Sequence, residues 1–263
     1  MRASGIRLAS ASAVVAGAAA GILASTTAFA VGASSFAAPA QRAPNGFAAP
    51  SQLQPKAADE NAEPAAGALG RPTGLGEETF AQVPADTTQL IVVSAEDRSA
   101  TESSLVLWER EEDGWTAGRG WEVTNGENGW REDRREGDRT TPEGVFSLSD
   151  AGGYLDDPGT DLPYYQDAGL RSGAEAVYGD GYQRVFDYVI AIDYNRRTGV
   201  APTENTRPEG WDKGGKIWLH VEHSSPTRGC VSMPAEDLRF LLEELETDRS
   251  PHIAMGSAEY LEQ

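Results

Sequence analysis

The chain of 263 residues carries 41 acidic and 22 basic side chains, which gives it a formal net charge of −19 at pH 7. Because binding to nucleic-acid phosphates needs a basic surface, this balance excludes a typical nucleic-acid-binding protein. The chain has a single cysteine, so no disulfide bond can form within it. That cysteine therefore needs another explanation.

The N-terminus has the layout of a signal peptide. Arg2 and Arg7 precede an uncharged run of Ala, Val, Gly and Leu that ends in Ala28, Phe29 and Ala30. This order predicts a signal peptide over residues 1–30, and hence a protein secreted to the cell envelope or beyond. The run is too short and too rich in small residues to span a bilayer, so no stable membrane insertion is expected after cleavage.

The composition changes twice along the rest of the chain. Residues 31–86 are mostly Ala, Pro, Gly, Gln and small polar residues, which predicts a flexible linker because little apolar surface is available to order the chain. Residues 87–257 contain the apolar runs and suffice for one hydrophobic core. Residues 258–263 are expected to form a C-terminal tail.

Short runs rich in β-branched and aromatic residues predict a mainly β domain. The first two runs are separated by a polar, turn-prone segment and predict a hairpin. The runs are QLIVVS (89–94), SLVLWER (104–110), GVFSLS (144–149), FDYVIAIDYN (186–195) and KIWLHVE (216–222). Residues 150–183, rich in Gly, Asp and Tyr, are expected to be long loops.

One segment is predicted to be helical. After Pro234, a residue favoured at the start of a helix, apolar side chains recur with helical spacing at Leu238, Leu241, Leu242 and Leu245. The sequence therefore predicts an amphipathic helix near the C-terminus that packs on the sheet.

The segment KIWLHVEHSSPTRGCVSMP (216–234) holds the cysteine and two of the three histidines. A thiol attacks a carbonyl as its thiolate, so a catalytic Cys230 needs a base, and His220 and His223 are the candidates. Alternation of side chains along the predicted strand places His220 opposite the most apolar face. Two alternatives stay open: Cys230 is a buried, inert thiol, or it joins both histidines as a zinc ligand.

The turn before the cysteine suits acyl transfer. Gly229 gives the backbone the freedom to aim consecutive N–H groups at one point, an arrangement that stabilises an oxyanion.

The zinc alternative has less support in the sequence. The spacing of the histidines and the cysteine matches no common zinc motif, and His252 is distant in sequence.

These residues resemble the catalytic domain of the L,D-transpeptidase family, the YkuD type. LHVEHSSPTRGCVSMP (219–234) is similar to the family's active-site segment, a histidine on a strand followed by a Ser/Thr-x-Gly-Cys turn, which Thr227 to Cys230 fill. Three upstream segments are also similar: NGENGWREDRREGDRTTPEGVFSLSDAGG (125–153), DPGTDLPYYQ (157–166) and FDYVIAIDYN (186–195).

The resemblance implies a β-sandwich-like catalytic domain with Cys230 as nucleophile and His220 as general base. It implies backbone amides around Gly229 and Cys230 as the oxyanion hole, with Thr227, Arg228 and His223 lining the substrate site. Family members act on peptidoglycan stem peptides without a metal or organic cofactor, and a monomer is expected.

Two features depart from the best-studied members of that family. The histidine lies closer to the cysteine than usual, which resembles a subgroup with a shorter loop. Arg228 occupies the position where a second histidine often precedes the Gly-Cys pair. Arginine favours a thiolate electrostatically but cannot exchange protons near neutral pH.

The leading interpretation is therefore a secreted cysteine acyltransferase that forms a thioester at Cys230 and passes the acyl group to an amine. A carboxypeptidase or endopeptidase that hydrolyses the same thioester is the alternative among enzymes. A catalytically silent module that binds the cell wall is the alternative outside them.

Overall fold

The structure is a computed structural model and describes residues 70–263. The predicted signal peptide (1–30) and residues 31–69 of the predicted linker lie outside the described residues. In the part that is described, no helix combines the length and the apolar character needed to cross a bilayer.

The described chain folds mainly into β-strands with short helices between them, as the sequence predicts. The strands are β1 Gln89–Ala95, β2 Glu102–Glu111, β3 Gly114–Thr124, β4 Trp130–Arg131, β5 Thr141–Pro142, β6 Gly144–Ser147, β7 Ala151–Gly153, β8 Tyr164–Gln166, β9 Val189–Ala191, β10 Trp218–Val221, β11 Val231–Met233 and β12 His252–Ser257. The α-helices are α1 Glu77–Phe80, α2 Leu170–Tyr178, α3 Ala235–Glu244 and α4 Ala258–Leu261.

Ten of the strands form one curled sheet in the order β6-β12-β1-β2-β3-β11-β10-β9-β7-β8, and β4 pairs with β5 apart from it. The predicted hairpin of β1 and β2 is confirmed by their antiparallel pairing. Strand β1 is buried on both faces: Ile91 and Val93 enter the main core, whereas Leu90 and Val92 enter a second apolar cluster. Burial on both faces explains why this strand is a continuous apolar run.

The predicted C-terminal helix is confirmed as α3. Its predicted apolar residues Leu238, Leu241 and Leu242 are fully buried in the main core, and so is Leu245, which directly follows the helix. Helix α3 follows β11 directly, so the strand that begins beside Cys230 is anchored by this packing.

The prediction of long loops over residues 150–183 is wrong. This range contains strands β7 and β8 and helix α2, whose residues Leu170 and Ala174 are buried. Strand β7 is Ala-Gly-Gly, and at Gly152 an added Cβ would lie 2.4 Å from the Tyr165 carbonyl oxygen. Small residues let the neighbouring backbone approach here, and they remove the side-chain pattern from which a strand is predicted.

Both predicted domain boundaries also need correction. Leu75 from the predicted linker and Leu261 from the predicted tail are buried together in the second apolar cluster. Their segments are joined by the Gly76 amide, which donates to the Leu261 carbonyl at 2.8 Å, and by the Glu78 amide, which donates to that of Gln263 at 2.9 Å. The folded unit therefore includes residues 75–86 and 258–263.

Candidate active site

The loop that leads to Cys230 is fixed by backbone contacts. Strands β10 and β11 run parallel, so residues 222–230 must return the chain to the edge where β10 began. Thr227 is the fixed point of the loop: its amide donates to the Asn125 carbonyl at 2.8 Å, and its carbonyl accepts from the Glu127 amide at 2.9 Å. The fully buried Thr227 hydroxyl donates to the Cys230 carbonyl at 2.6 Å.

Only glycine fits at position 229. Its φ of +123° lies in the region that favours glycine, and an added Cβ would lie 2.7 Å from the Thr140 carbonyl oxygen. The Gly229 amide donates to the Thr227 hydroxyl at 3.1 Å, so it stabilises the turn and is already engaged. To bind an oxyanion, the Gly229 amide would have to leave the Thr227 hydroxyl.

Cys230 lies at the start of β11, beside Trp218 of β10. Its thiol faces the Lys216 carbonyl, with the sulfur 3.5 Å from the oxygen, and the residue is 9% exposed. Burial raises the pKa of the Cys230 thiol to about 11, although the Trp218 backbone amide and the charge of Arg134 both act to lower it. The resting nucleophile is therefore a thiol and not a thiolate.

His220 lies on the predicted face of β10. In the register of β10 and β11 it is paired with Ser232, two places on from the pair that Trp218 and Cys230 would make, and so on the same face as Cys230. Its Nδ1 lies 2.9 Å from the Val221 carbonyl oxygen, which assigns the proton to Nδ1 and leaves Nε2 as the basic nitrogen. Burial lowers the pKa of His220 to about 3, and His223 nearby lowers it further against the effect of the Val221 bond.

Tyr178, which the sequence analysis missed, stands at the basic nitrogen of His220. Its hydroxyl oxygen lies 3.4 Å from His220 Nε2, and burial raises its pKa, so the phenol is protonated. The Cys230 sulfur is near enough to raise that pKa as well, whereas the Arg228 charge and amide lower it. In the described structure the sulfur makes no hydrogen bond to His220, so a tyrosine hydroxyl occupies the position where a direct Cys–His contact was expected.

His223 is a neighbour of this site and not part of its wall. Its ring lies nearly parallel to that of His220, with the centroids 5.6 Å apart, and its Nδ1 is 2.9 Å from the Ser225 hydroxyl. Burial lowers the pKa of His223. Its ring also packs on Tyr178 at 4.2 Å, and Tyr178 lines the cavity in place of either histidine.

A cavity of about 640 Å³ opens over the thiol. Helix α2 forms one wall with Leu170, Val177 and Tyr178, and Cys230 and Trp218 lie on the sheet side. The walls are otherwise rich in arginine and lysine. A volume of this size accommodates a peptide-sized ligand.

Arg228 lines the cavity. It is exposed, and its guanidinium carbon lies 5.9 Å from the centroid of the Tyr178 ring. The cation that lowers the pKa of Cys230 is Arg134, which the sequence analysis did not single out. Arg134 sits in a run of charged residues, where nothing distinguishes a buried arginine from a solvated one.

The zinc interpretation required His220, His223 and Cys230 to converge. Across residues 70–263 no group of three or more His, Cys, Asp or Glu side chains is placed to hold a metal ion. His252 lies elsewhere, with its Nδ1 3.0 Å from the Thr87 hydroxyl.

Residues 88–253 match the family model of the L,D-transpeptidase catalytic domain, named YkuD. The chain belongs to this family. The match includes His220, Cys230 and the turn between Thr227 and Cys230, which are the residues that carried the resemblance in the sequence. The L,D-transpeptidase domain thus extends beyond the matched range by the two terminal segments that complete its second apolar cluster.

Two solved structures are similar to this chain. Bd1075 of Bdellovibrio bacteriovorus is 21% identical, with a TM-score of 0.33, over 68% of this chain and 50% of that protein. A fused Zn-dependent amidase/peptidase/peptidoglycan-binding domain-containing protein of Clostridium acetobutylicum is 12% identical, with a TM-score of 0.32, over 67% and 55% respectively. The chain thus spans about half the length of each. Among curated proteins, none matches this chain.

Proposed function

We propose that this L,D-transpeptidase-family protein is a secreted cysteine acyltransferase that acts on peptidoglycan stem peptides. The observation that carries the proposal is the position of Cys230. Its thiol lies in the wall of a peptide-sized cavity, at the end of a turn whose backbone is fixed by Thr227 and Gly229. A merely structural cysteine does not need such a turn.

The first half of the reaction forms a thioester. The Cys230 sulfur attacks the carbonyl carbon of the L-centre of the diamino acid, and the thiol proton passes to Nε2 of His220, whose tautomer leaves that nitrogen basic. The amide of Cys230 is assigned to the developing oxyanion, because the Gly229 amide is engaged. The carbon–nitrogen bond then breaks, and the imidazolium returns the proton to the departing amine of the D-residue.

The second half of the reaction resolves the thioester. An amine from a neighbouring stem attacks the same carbonyl carbon, loses a proton to His220 and displaces the Cys230 sulfur, which is reprotonated. The product is a cross-linked pair of stems. If water takes the place of the amine, the product is a shortened stem, and the protein is a carboxypeptidase.

The resting state sets a condition on this chemistry. With a thiol pKa of about 11 and an imidazole pKa of about 3, both groups are neutral before substrate binds. The thiolate is therefore formed during attack and does not stand ready as an ion pair. Tyr178, whose hydroxyl lies at Nε2, either moves aside or passes the proton between sulfur and nitrogen.

Product analysis tests the proposal. The purified chain is incubated with a stem tetrapeptide donor and a separate diamino-acid acceptor, and the products are separated by mass. A cross-linked dimer supports transfer, whereas tripeptide alone supports the carboxypeptidase. We expect His220→Ala to abolish acylation of Cys230 and His223→Ala to weaken it less, because His220 lies on the face of Cys230 and His223 does not line the cavity.

A further inference from the structure

The cavity over Cys230 is cationic although the chain as a whole is strongly acidic. Five basic and two acidic side chains line it, in a protein with a formal net charge of −19. Hydrogen-bonded ion pairs account for two of the five basic groups, since Arg139 pairs with Glu127 and Arg207 pairs with Glu136. The other three are Arg134, Lys216 and Arg228.

Arg134 is the most constrained of the three. It is 4% exposed, and its Nε is buried without a hydrogen-bond partner in the described structure. Its terminal nitrogens donate to the carbonyls of Lys213 at 3.3 Å and Arg135 at 3.4 Å, which are long contacts. A buried cation whose donors are incompletely used is costly unless a ligand completes its coordination.

The carboxylate nearest to Arg134 does not satisfy it. Asp138 Oδ1 lies 3.8 Å from the Arg134 guanidinium, beyond hydrogen-bond distance. Asp138 already accepts from the Arg135 amide at 2.6 Å, the Thr140 amide at 2.9 Å and the Thr140 hydroxyl at 2.8 Å. The carboxylate of Asp138, the strongest acceptor near Arg134, is thus already occupied by hydrogen bonds from its own loop.

Lys216 and Arg228 bring two more positive charges to the cavity. The carbonyl of Lys216 faces the Cys230 thiol, and the half-buried Lys216 side chain lines the cavity and joins no ion pair among residues 70–263. Arg228 lines the cavity two residues before the nucleophile in the sequence and is likewise in no ion pair within that range. Trp218 on the same wall has a buried indole N–H without a partner.

We propose that Arg134, supported by Lys216, binds the free carboxylate of the D-residue that leaves the donor stem. This inference rests on the proposed function and specifies its substrate. The leaving carboxylate is attached to the carbon that bears the leaving nitrogen, so it must lie close to Cys230 when the sulfur attacks. A guanidinium binds a carboxylate with paired, charge-assisted hydrogen bonds. Arg134 and Lys216 are therefore the residues that give this chain its preference for a donor with a free C-terminal carboxylate.

The test compares two tetrapeptide donors that differ only in a C-terminal carboxylate or carboxamide. In the wild-type chain we expect Cys230 acylation, measured by intact mass against time, to have a kcat/KM about 10- to 100-fold higher for the free acid, as for a hydrogen bond to a charged group. In Arg134→Gln the ratio of the acid rate to the amide rate should fall close to one. This ratio is the readout, because loss of the Arg134 charge also raises the pKa of Cys230 and slows acylation by both donors. Equal rates for the two donors in the wild type overturn the inference.

Two further variants serve as a second test, in case Arg134→Gln does not fold, and as a control for net charge. Lys216→Gln, at a half-buried position, should reduce the acid preference in part even if Arg134→Gln does not fold. Arg239→Gln removes the same charge from the exposed side of α3, where Arg239 pairs with Glu243, and should keep the full preference. A similar loss of preference in Arg239→Gln would show that net charge, and not this site, selects the acid.

Binding separates this inference from the proposed function. In Cys230→Ala, calorimetry should give a dissociation constant about 10-fold or more lower for the free acid than for the amide. Preferential binding of the acid without any acylation in the wild type would refute the acyltransferase and support the carboxylate site. Acylation of wild type by both donors at one rate, with equal binding, would refute the carboxylate site and support the acyltransferase.

Discussion

Replacing His220 with glutamine should make the protein less sensitive to acid. His220 is fully buried, and burial lowers its pKa from 6.5 to about 3. In the unfolded chain His220 binds a proton below pH 6.5, whereas in the folded chain its imidazole stays neutral until a much lower pH. Relative to the unfolded chain, the folded protein is therefore not destabilised by His220 above pH 6.5, and it loses stability through His220 as the pH falls from 6.5 towards 3.

The size of this effect follows from the two pKa values. Each pH unit below the unfolded pKa costs about 1.4 kcal/mol, so wild type should lose about 2–3 kcal/mol through this one group between about pH 7.5 and about pH 4.5. The figure depends little on the folded pKa, because about pH 4.5 lies well above it.

Urea unfolding at the two pH values measures the loss in wild type and in His220→Gln. All other titrating groups are common to both proteins, so the difference between the two losses isolates His220. Tyr178→Phe removes the hydroxyl partner of the imidazole but keeps the histidine, and it should show the wild-type loss. Equal losses in wild type and His220→Gln would show that His220 is not held neutral by burial, and the reasoning about its basic nitrogen would fail.

Three further predictions concern the domain boundary, the thiol and the turn. A chain that begins at residue 87 should unfold at a lower urea concentration than one that begins at residue 70, because loss of the buried Leu75 alone removes about 2–5 kcal/mol of folding stability. Coincident unfolding curves would contradict the packing of Leu75 against Leu261. Cys230 in the resting protein should react with iodoacetamide at neutral pH at least about 10-fold more slowly than a free thiol. Burial raises its pKa from 9.0 to about 11, and the greater nucleophilicity of the thiolate offsets only part of the loss of thiolate. Alkylation at the free-thiol rate would refute that rise. Thr227→Val should lose about 1–3 kcal/mol of stability and most of the acylation rate, because it leaves the Cys230 carbonyl and the Gly229 amide without their hydroxyl partner. Thr227→Ser should keep the stability and the acylation rate. Equal behaviour of the two variants would show that the hydroxyl does not hold the turn.

The parts of the fold that the sequence predicts correctly depend on local pattern. Helix α3 follows from leucines at helical spacing, and the face of His220 follows from alternation along β10. The turn at Gly229 follows from the glycine itself, because a positive φ favours glycine. Each of these features is contained within a few consecutive residues.

The features that the sequence does not predict depend on contacts between distant segments. Tyr178 reaches His220 across 42 residues, from a helix that was expected to be a loop. Arg134 is buried only because the loop of Asp138 and the segment of Lys213 close around it. Leu75 is buried by the C-terminal Leu261, and no pattern within residues 31–86 indicates that partner.

Intact-mass spectrometry of the quenched reaction tests most directly whether Cys230 forms a thioester with a stem peptide. After the purified chain is mixed with a tetrapeptide donor, we predict a transient mass increase equal to the tripeptide acyl group, localised to Cys230 by peptide mapping, with release of the terminal D-residue. Cys230→Ala should show neither the adduct nor the release. Release of the D-residue by Cys230→Ala at the wild-type rate, or the lack of any adduct and release in wild-type protein shown to be folded, would contradict the claim.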